Sequence, residues 1–504
     1  DLMSKITTGC YLARKKIVDK FTRPWTGNIA TSGEWPGYTG QTINYLTTVY
    51  TLPALRSQVD AYQVMARTAT NKVFCVEIDV NATSDWSIHE MYQQYPIWDF
   101  FPENGNVMLI RYKAGGAYPI LKGGWLFGMM RGVHLYGLTW ALDKTATPYT
   151  GGTSSAVYNG LVFYPNPNGT GTVNGASQYG RLQILKIEKC RVGLKFDPKY
   201  ASVTPTNVDT APGTTLLLGG VATGTNTICG EQLIIKDCFF WGMNVTMTPF
   251  AHYLLHIENC DVALSGADNL GTYSISPIFK QWIPGADQVA TDGTGIEQYE
   301  WIDGLHLRAV ADVVDTTGNA IHADYHQQRT NSGPPAFSTV GVTYRIFENC
   351  VINESFNSAG IARENWINSS QGPQATVHLN NLAISYASRG IESGYGAGII
   401  CYAEYNTLGI PYKMPLGANN VAGQYIASPG GGAVMKTYKN IYSAGNNVTT
   451  QFPNERNVVY GYALSRPWPP NTIMQGPWED DPTQPGRVRA QAWDDDPEIG
   501  RASC

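Results

Sequence analysis

Apolar and polar residues alternate at period two in several short segments, and the same segment recurs. Leu185–Leu194, Leu233–Phe240, Leu255–Leu264, Tyr344–Glu354 and Val377–Ile384 each open with alternating aliphatic or aromatic positions. A polar pair follows, then Cys190, Cys238, Cys260 or Cys350 (Leu382 in the fifth segment), then more apolar positions. Period-two alternation predicts strands. Cys238 and Cys260 are 22 residues apart, Cys190 and Cys238 48, and Cys260 and Cys350 90, with an intermediate match at Trp301–Val310. A period in this range predicts a repeating array. One coil of that length holds about three short strands and their bends, and stacked coils place like residues about 4.8 Å apart. The fold expected is therefore all-β: a right-handed single-stranded parallel β-helix. A propeller would need longer units with regular hairpins.

The repeat gives a domain plan. Residues 1–125 do not repeat and read as a mixed head that caps the first coil, with helices over Leu12–Phe21 and Leu52–Val64 and a strand over Val73–Val80. A solenoid needs such a cap because its end coil exposes apolar surface and strand edges. Residues 126–410 form the β-helix, starting with the rung-like Gly132–Leu142. Residues 411–470 read as a C-terminal β domain and 471–504 as an extended acidic arm. The arm holds two related pieces, Trp478–Pro482 and Trp493–Pro497. Gly/Ser/Asn/Thr-rich stretches at 149–180 and 203–224, and a third excursion at 321–344, read as long loops, which in a regular scaffold usually carry function.

Within this plan the four register cysteines read as small buried hydrophobes. Cys238 and Cys260 are the only two close enough in the stack for a disulfide. Lys189, Asp237, Asn259 and Asn349 precede the cysteines and fall at the bend, where a short polar side chain can bond the adjacent backbone. Charged residues make up only 15%, the net charge is -5 and there is no basic block, so nucleic acid is not an expected partner. No run of 18 apolar residues predicts a membrane span, and the first residues lack the apolar core of a signal peptide. Thirty Tyr and 13 Trp suggest sugar-stacking surfaces or subunit interfaces. The cysteine and histidine spacing shows no metal motif, and the consecutive Asp residues of the arm lack calcium-loop spacing. No cofactor is expected.

The Ile-Glu-Asn-Cys type of rung over roughly 130–400 resembles the bacteriophage tailspike and polysaccharide depolymerase family and, more distantly, pectate-lyase-like β-helix enzymes. The resemblance implies a homotrimer on the virion exterior. It would bind bacterial surface polysaccharide and hydrolyse it during host attachment, with other virion proteins held through the N-terminal region or the arm. Two or three carboxylates would act, since glycoside hydrolysis needs an acid and a base or nucleophile about 5–9.5 Å apart, a distance that one or two rungs supply. The richest stretch is 300–326, with Glu300, Asp303 and His306 among its polar residues. The catalytic candidates are Asp312, Asp315, Asp324 and, one coil on, Glu354; Trp301, Tyr325, His322, His326 and Trp366 are candidates for holding sugar. His322, Asp324 and His326 would share one strand face. A lyase would need a base such as Arg308, Arg345, Arg363 or Arg389. The competing expectation is a non-enzymatic fibre, collar or decoration protein that uses the same fold as a rigid rod.

Overall fold

The computed structural model describes residues 2–27, 31–79, 98–100, 102–113, 120–122, 125–127, 130–142, 161–163, 172–173, 176–177, 184–194, 216–218, 230–241, 245–247, 252–264, 279–283, 298–309, 326–330, 343–353, 363–369, 374–384, 387–392, 400–409, 426–427, 434–443, 458–460, 473–475, 479–480 and 488–489. The fold is all-β and parallel β-helix-like. A 13-stranded first sheet and a 12-stranded second sheet both advance rung by rung, and two shorter sheets of four and five strands form a third face. One coil shows the plan. Ile184–Glu188 lies in the first sheet, Arg191–Leu194 in the second and Leu216–Leu218 in the third, and Gly230–Lys236 then returns to the first, parallel to Ile184–Glu188.

The first sheet starts earlier than the repeat, at Tyr45–Val49, which pairs in parallel with Val73–Ile78. It continues through Val434–Tyr438, and the second sheet continues through Ile473–Gln475. Stacked strands thus occur within the segments read as the head and the C-terminal β domain. All three stretches read as loops contain strands of the third face: Leu161–Phe163, Leu216–Leu218 and His326–Thr330. The first two are three residues each, too short for alternation to register in sequence. In the arm, Glu479–Asp480 pairs antiparallel with Val488–Arg489.

Alternation assigns the two faces of the first sheet. Leu254, Tyr299, Ile346 and Val377 pack against the N-terminal segment through Cys10, Ile17 and Phe21. Their neighbours Leu255, Glu300, Arg345 and Thr376 therefore face into the coil, and all are buried. The next inward row runs Ile187, Ile235, Ile257, Ile302 and Phe347 in register. Stacking places like residues on like, so each rung completes the core of the next.

Between the first and second sheets, every bend from Gly137-Leu138 to Lys439-Asn440 is two residues long. The first bend residue is left-handed: φ is 54° at Lys189, 51° at Asp237, 50° at Asn259, 65° at Gly304 and 56° at Asn349. Gly, Asn and Asp reach that conformation at low cost. Its backbone N–H donates along the stack, as from Asn259 to Asp303 O at 3.0 Å. The side chains form a rail of their own: Asn380 Nδ2 donates to Asn349 Oδ1 at 2.8 Å, and Asn349 Nδ2 donates to Asp303 Oδ1 at 2.7 Å.

The second bend residue points inward. Cys190, Cys238, Cys260 and Cys350 occupy it and are free, buried thiols, so Cys238 and Cys260 are not bridged. Their column is completed by Leu305 and then by Asn381, Asn406 and Asn440. The fifth segment is thus shifted by one from its sequence alignment. Asn381, not Leu382, stands in the cysteine position, and Leu382 starts the next strand, opposite Val351.

Two helices complete the described fold. In α2 (Leu52–Ala66), Thr51 caps the N-terminus, and Leu52, Leu55, Val59 and Tyr62 form the buried stripe. Tyr62 packs on Phe74, whose row continues into Met108, Val133 and Leu185, so α2 plugs the open end of the coil. In α1 (Thr8–Thr22) the cap is Thr7 and the buried residues are Cys10, Ile17, Lys20 and Phe21. It does not cover an end. It lies along the outside of the first sheet, across strands Gln298–Asp303, Thr343–Glu348, Gln374–Leu379 and Ile400–Glu404.

Candidate functional site

Asp312, Asp315, Asp324, Glu354, His322 and Tyr325 lie outside the described residues. His326 and Trp366 are placed in backbone on the third face. His326 opens strand His326–Thr330 and stands in register between Phe279 and Ile367. Trp366 directly precedes Ile367 in strand Arg363–Ser369.

Trp301 is fully described and sits on the outer face of the first sheet, beneath α1. Its indole is stacked on His256, with centroids 4.5 Å apart, and meets Phe21 edge-on at 5.6 Å. Its Nε1–H donates to Glu348 Oε1 at 2.7 Å. Glu348 also accepts both arms of the Arg14 fork, at 2.6 and 2.9 Å. Such bidentate, charge-assisted pairs are among the stronger polar contacts. Asp303 and Glu348 are register neighbours, about one 4.8 Å rung apart. Burial raises the Asp303 carboxyl above its ordinary value, Glu348 and Glu258 add to this, and the hydrogen bond from Asn349 opposes it.

A second cluster lies further down the same face. His256 Nδ1 meets Glu34, and Lys236 Nζ lies 2.9 Å from both Glu34 and Glu258. Burial works to raise the Glu34 carboxyl, but His256 and Lys236 outweigh it and hold the group below its usual range. One coil earlier, Glu188 is contacted by His134 at 3.1 Å and Lys186 at 3.3 Å. Burial works against its charge, yet these partners and Thr39 hold it down at about 2.

Two residues weighed as chemistry are instead interior. Glu300 and Arg345 face into the coil with side chains 1% and 0% exposed, and Arg345 Nε donates to Glu300 Oε2 at 2.9 Å. Arg345 is therefore unable to reach a uronate at the surface. Beside it His378 stacks on Phe347 at 5.3 Å, and burial, then the Arg345 charge, push it down to about 3.

Sequence patterns do not reveal the N-terminal partners. Arg14, Glu34 and Thr7 meet residues more than 200 positions away, and no local periodicity encodes such pairs. The available signal was the basic face of the first helix and the regular acids at the strand ends. Among the described residues no group of three or more His, Cys, Asp or Glu is placed to hold a metal ion. Comparison with protein-family models, curated proteins and solved structures found no match.

Proposed function

We propose that this chain is an exterior virion protein of the phage tailspike type. It forms a homotrimer, binds bacterial surface polysaccharide and hydrolyses it during host attachment. The full architecture in this reading is a right-handed, single-stranded parallel β-helix with a mixed N-terminal cap and a C-terminal β domain. The right-handed sense rests on the strong bias of parallel crossovers.

One observation carries the reading: where the coil varies in length. Among the described residues, the bend between the first and second sheets is two residues in each coil from residue 137 to residue 440. The links from the second sheet to the third face span only 385–386 in one coil but 143–160, 195–215 and 310–325 in others. Variable segments on a rigid scaffold are where binding residues are usually carried, and Asp312, Asp315 and Asp324 belong to one of these links. Lys280, Gln327, Asn368 and Glu392 stand in register along the third face, a run of polar residues in sequence.

The test is incubation of the protein with purified host polysaccharides, followed by sizing of the products. Shortened fragments support hydrolysis. Intact polymer across the panel, with trimers present, removes the enzyme claim. A non-enzymatic rod is favoured by one observation: Glu348, beside Asp303, is already saturated by Arg14 and Trp301.

A further inference from the structure

The face beneath α1 is built like a ligand site, and α1 occupies it as a ligand would. Trp301, Tyr299, Tyr344 and Tyr402 line it, with the carboxylates of Glu348 and Glu404 between them. The helix presents cations to these groups. Arg14 forks onto Glu348, whose side chain is 2% exposed. Lys16 Nζ lies 3.8 Å from the centroid of the Tyr344 ring, and Lys20 Nζ 5.5 Å from that of Tyr299. An independent feature points the same way. His256, stacked on Trp301 and 3% exposed, has its Nε2 buried with no hydrogen-bond partner among the described residues. It faces Glu258 at 3.8 Å, beyond hydrogen-bond reach.

The two parts of the N-terminal segment are held differently. Residues 33–38 are tied by their backbone: Trp35 N–H donates to Gln232 Oε1, Gln232 Nε2 donates to Gly33 O, and Tyr38 N–H donates to His134 Nδ1. The α1 stretch is held by the apolar contacts of Cys10, Ile17 and Phe21, by the Arg14 and Lys16 side chains, and by its cap, where Thr7 N–H donates to Glu404 Oε2 at 2.8 Å. A helix docked through side chains and its cap can open as a unit, below the free energy of global unfolding.

We propose that this trough is a second ligand site, that it takes oligosaccharides carrying protonated amino groups, and that α1 is its built-in competitor. The chemistry selects that class. The flat C–H faces of a sugar stack on aromatic rings, an ammonium sits over Tyr, and a cation must replace Arg14, because a buried Glu348 carboxylate left alone is costly. A neutral or anionic glycan supplies no such cation.

The experiment is calorimetric titration of the full chain with fully deacetylated chitohexaose. It is paired with hydrogen exchange across residues 8–22 and with fully N-acetylated chitohexaose as the control. Binding of the amine form alone, with faster exchange in α1, is expected. Lys16→Ala leaves the trough intact and weakens the competitor, so it tightens binding, by about tenfold where docking of α1 limits affinity. Glu348→Gln weakens it by about the same factor. Thermal melts confirm that each variant is folded. The proposal is overturned if Lys16→Ala protein does not bind the amine hexamer, if it binds both forms equally, or if α1 exchange is unchanged on binding. None of these outcomes bears on cleavage at the loop-bearing links, which is read from products of host polysaccharide.

Discussion

Asn381 donates its side-chain amide to Asn406 Oδ1 at 2.9 Å, and the same amide nitrogen donates to Phe347 O at 3.0 Å. Asn406 repeats the arrangement with Asn440 and His378 O. The cysteines above them use the same acceptor position: Cys350 Sγ reaches Ile302 O at 3.8 Å, Cys260 reaches Ile235 O at 3.6 Å and Cys238 reaches Ile187 O at 3.5 Å. Each acceptor lies three residues before the column in the preceding rung. Each thiol lies nearer still to the carbonyl two residues before it, at 3.1 Å for Cys238 and 3.4 Å for Cys350, and has one proton for both acceptors, whereas the amide's two protons serve the cross-rung carbonyl and the next Asn together. The column is structural, and burial raises the Cys238 thiol well above its usual range, which leaves it a poor nucleophile.

Asn406→Ala should destabilise by on the order of 3 kcal/mol, because it orphans His378 O and strips acceptors from Asn381. Asn406→Cys keeps a donor for that carbonyl and should cost clearly less. Urea unfolding of the two variants checks the order; equal losses would contradict the shared role.

Arg345→Met leaves Glu300 buried beside no guanidinium and should cost roughly 3–5 kcal/mol. Glu300→Leu with Arg345→Met removes both charges and should recover most of that loss. A double-mutant cycle from denaturation curves measures the coupling, and additive losses would show that the two charges are independent.

Acid should unfold the protein partly through His378. Its folded pKa, about 3, lies below the unfolded value near 6.5, so the unfolded state binds the proton more tightly. The stability it confers is complete above pH 6.5 and falls as the pH drops toward 3, by roughly 1.4 kcal/mol per pH unit at most. His378→Phe, which keeps a ring against Phe347, should flatten stability across that window. Glu188, held at about 2, acts at lower pH: its contribution is present above its unfolded value near 4.5 and is lost as the pH falls toward 2. An unchanged acid midpoint in His378→Phe would remove His378 from this account.

Lys189→Gly should stabilise by about 1 kcal/mol, since Lys189 holds a left-handed φ of 54° that glycine adopts freely. The lost contact, Lys189 Nζ to Tyr136 at 3.2 Å, is exposed. Thermal melting reads the sign.

Much of the architecture was legible in the residues themselves. Period-two alternation located the first-sheet strands, and the cysteine spacing gave the coil. The column became invisible where Asn replaced Cys. Asn381 follows another Asn, so sequence alone favoured Leu382 as the match, one position late. Three strands per coil were expected, but those of the third face could not be located, because its early strands are three residues long and set in Gly-rich sequence. The path of α1 could not be read because it depends on pairs such as Thr7 with Glu404, 397 positions apart. Of the proposed sugar-binding residues, Trp301 is placed beneath a helix that its own sequence context did not announce.

The most direct test of the proposed function is release of new reducing ends from purified bacterial surface polysaccharide. The intact protein would be compared with Asp312→Asn, Asp315→Asn, Asp324→Asn and Glu354→Gln. The account predicts cleavage of at least one host polysaccharide and a loss of at least about 100-fold in one or more of these variants, the scale of general acid–base catalysis. Full activity in all four would contradict the placement of the site, and no binding or cleavage by correctly assembled protein on any polysaccharide tested would contradict the function.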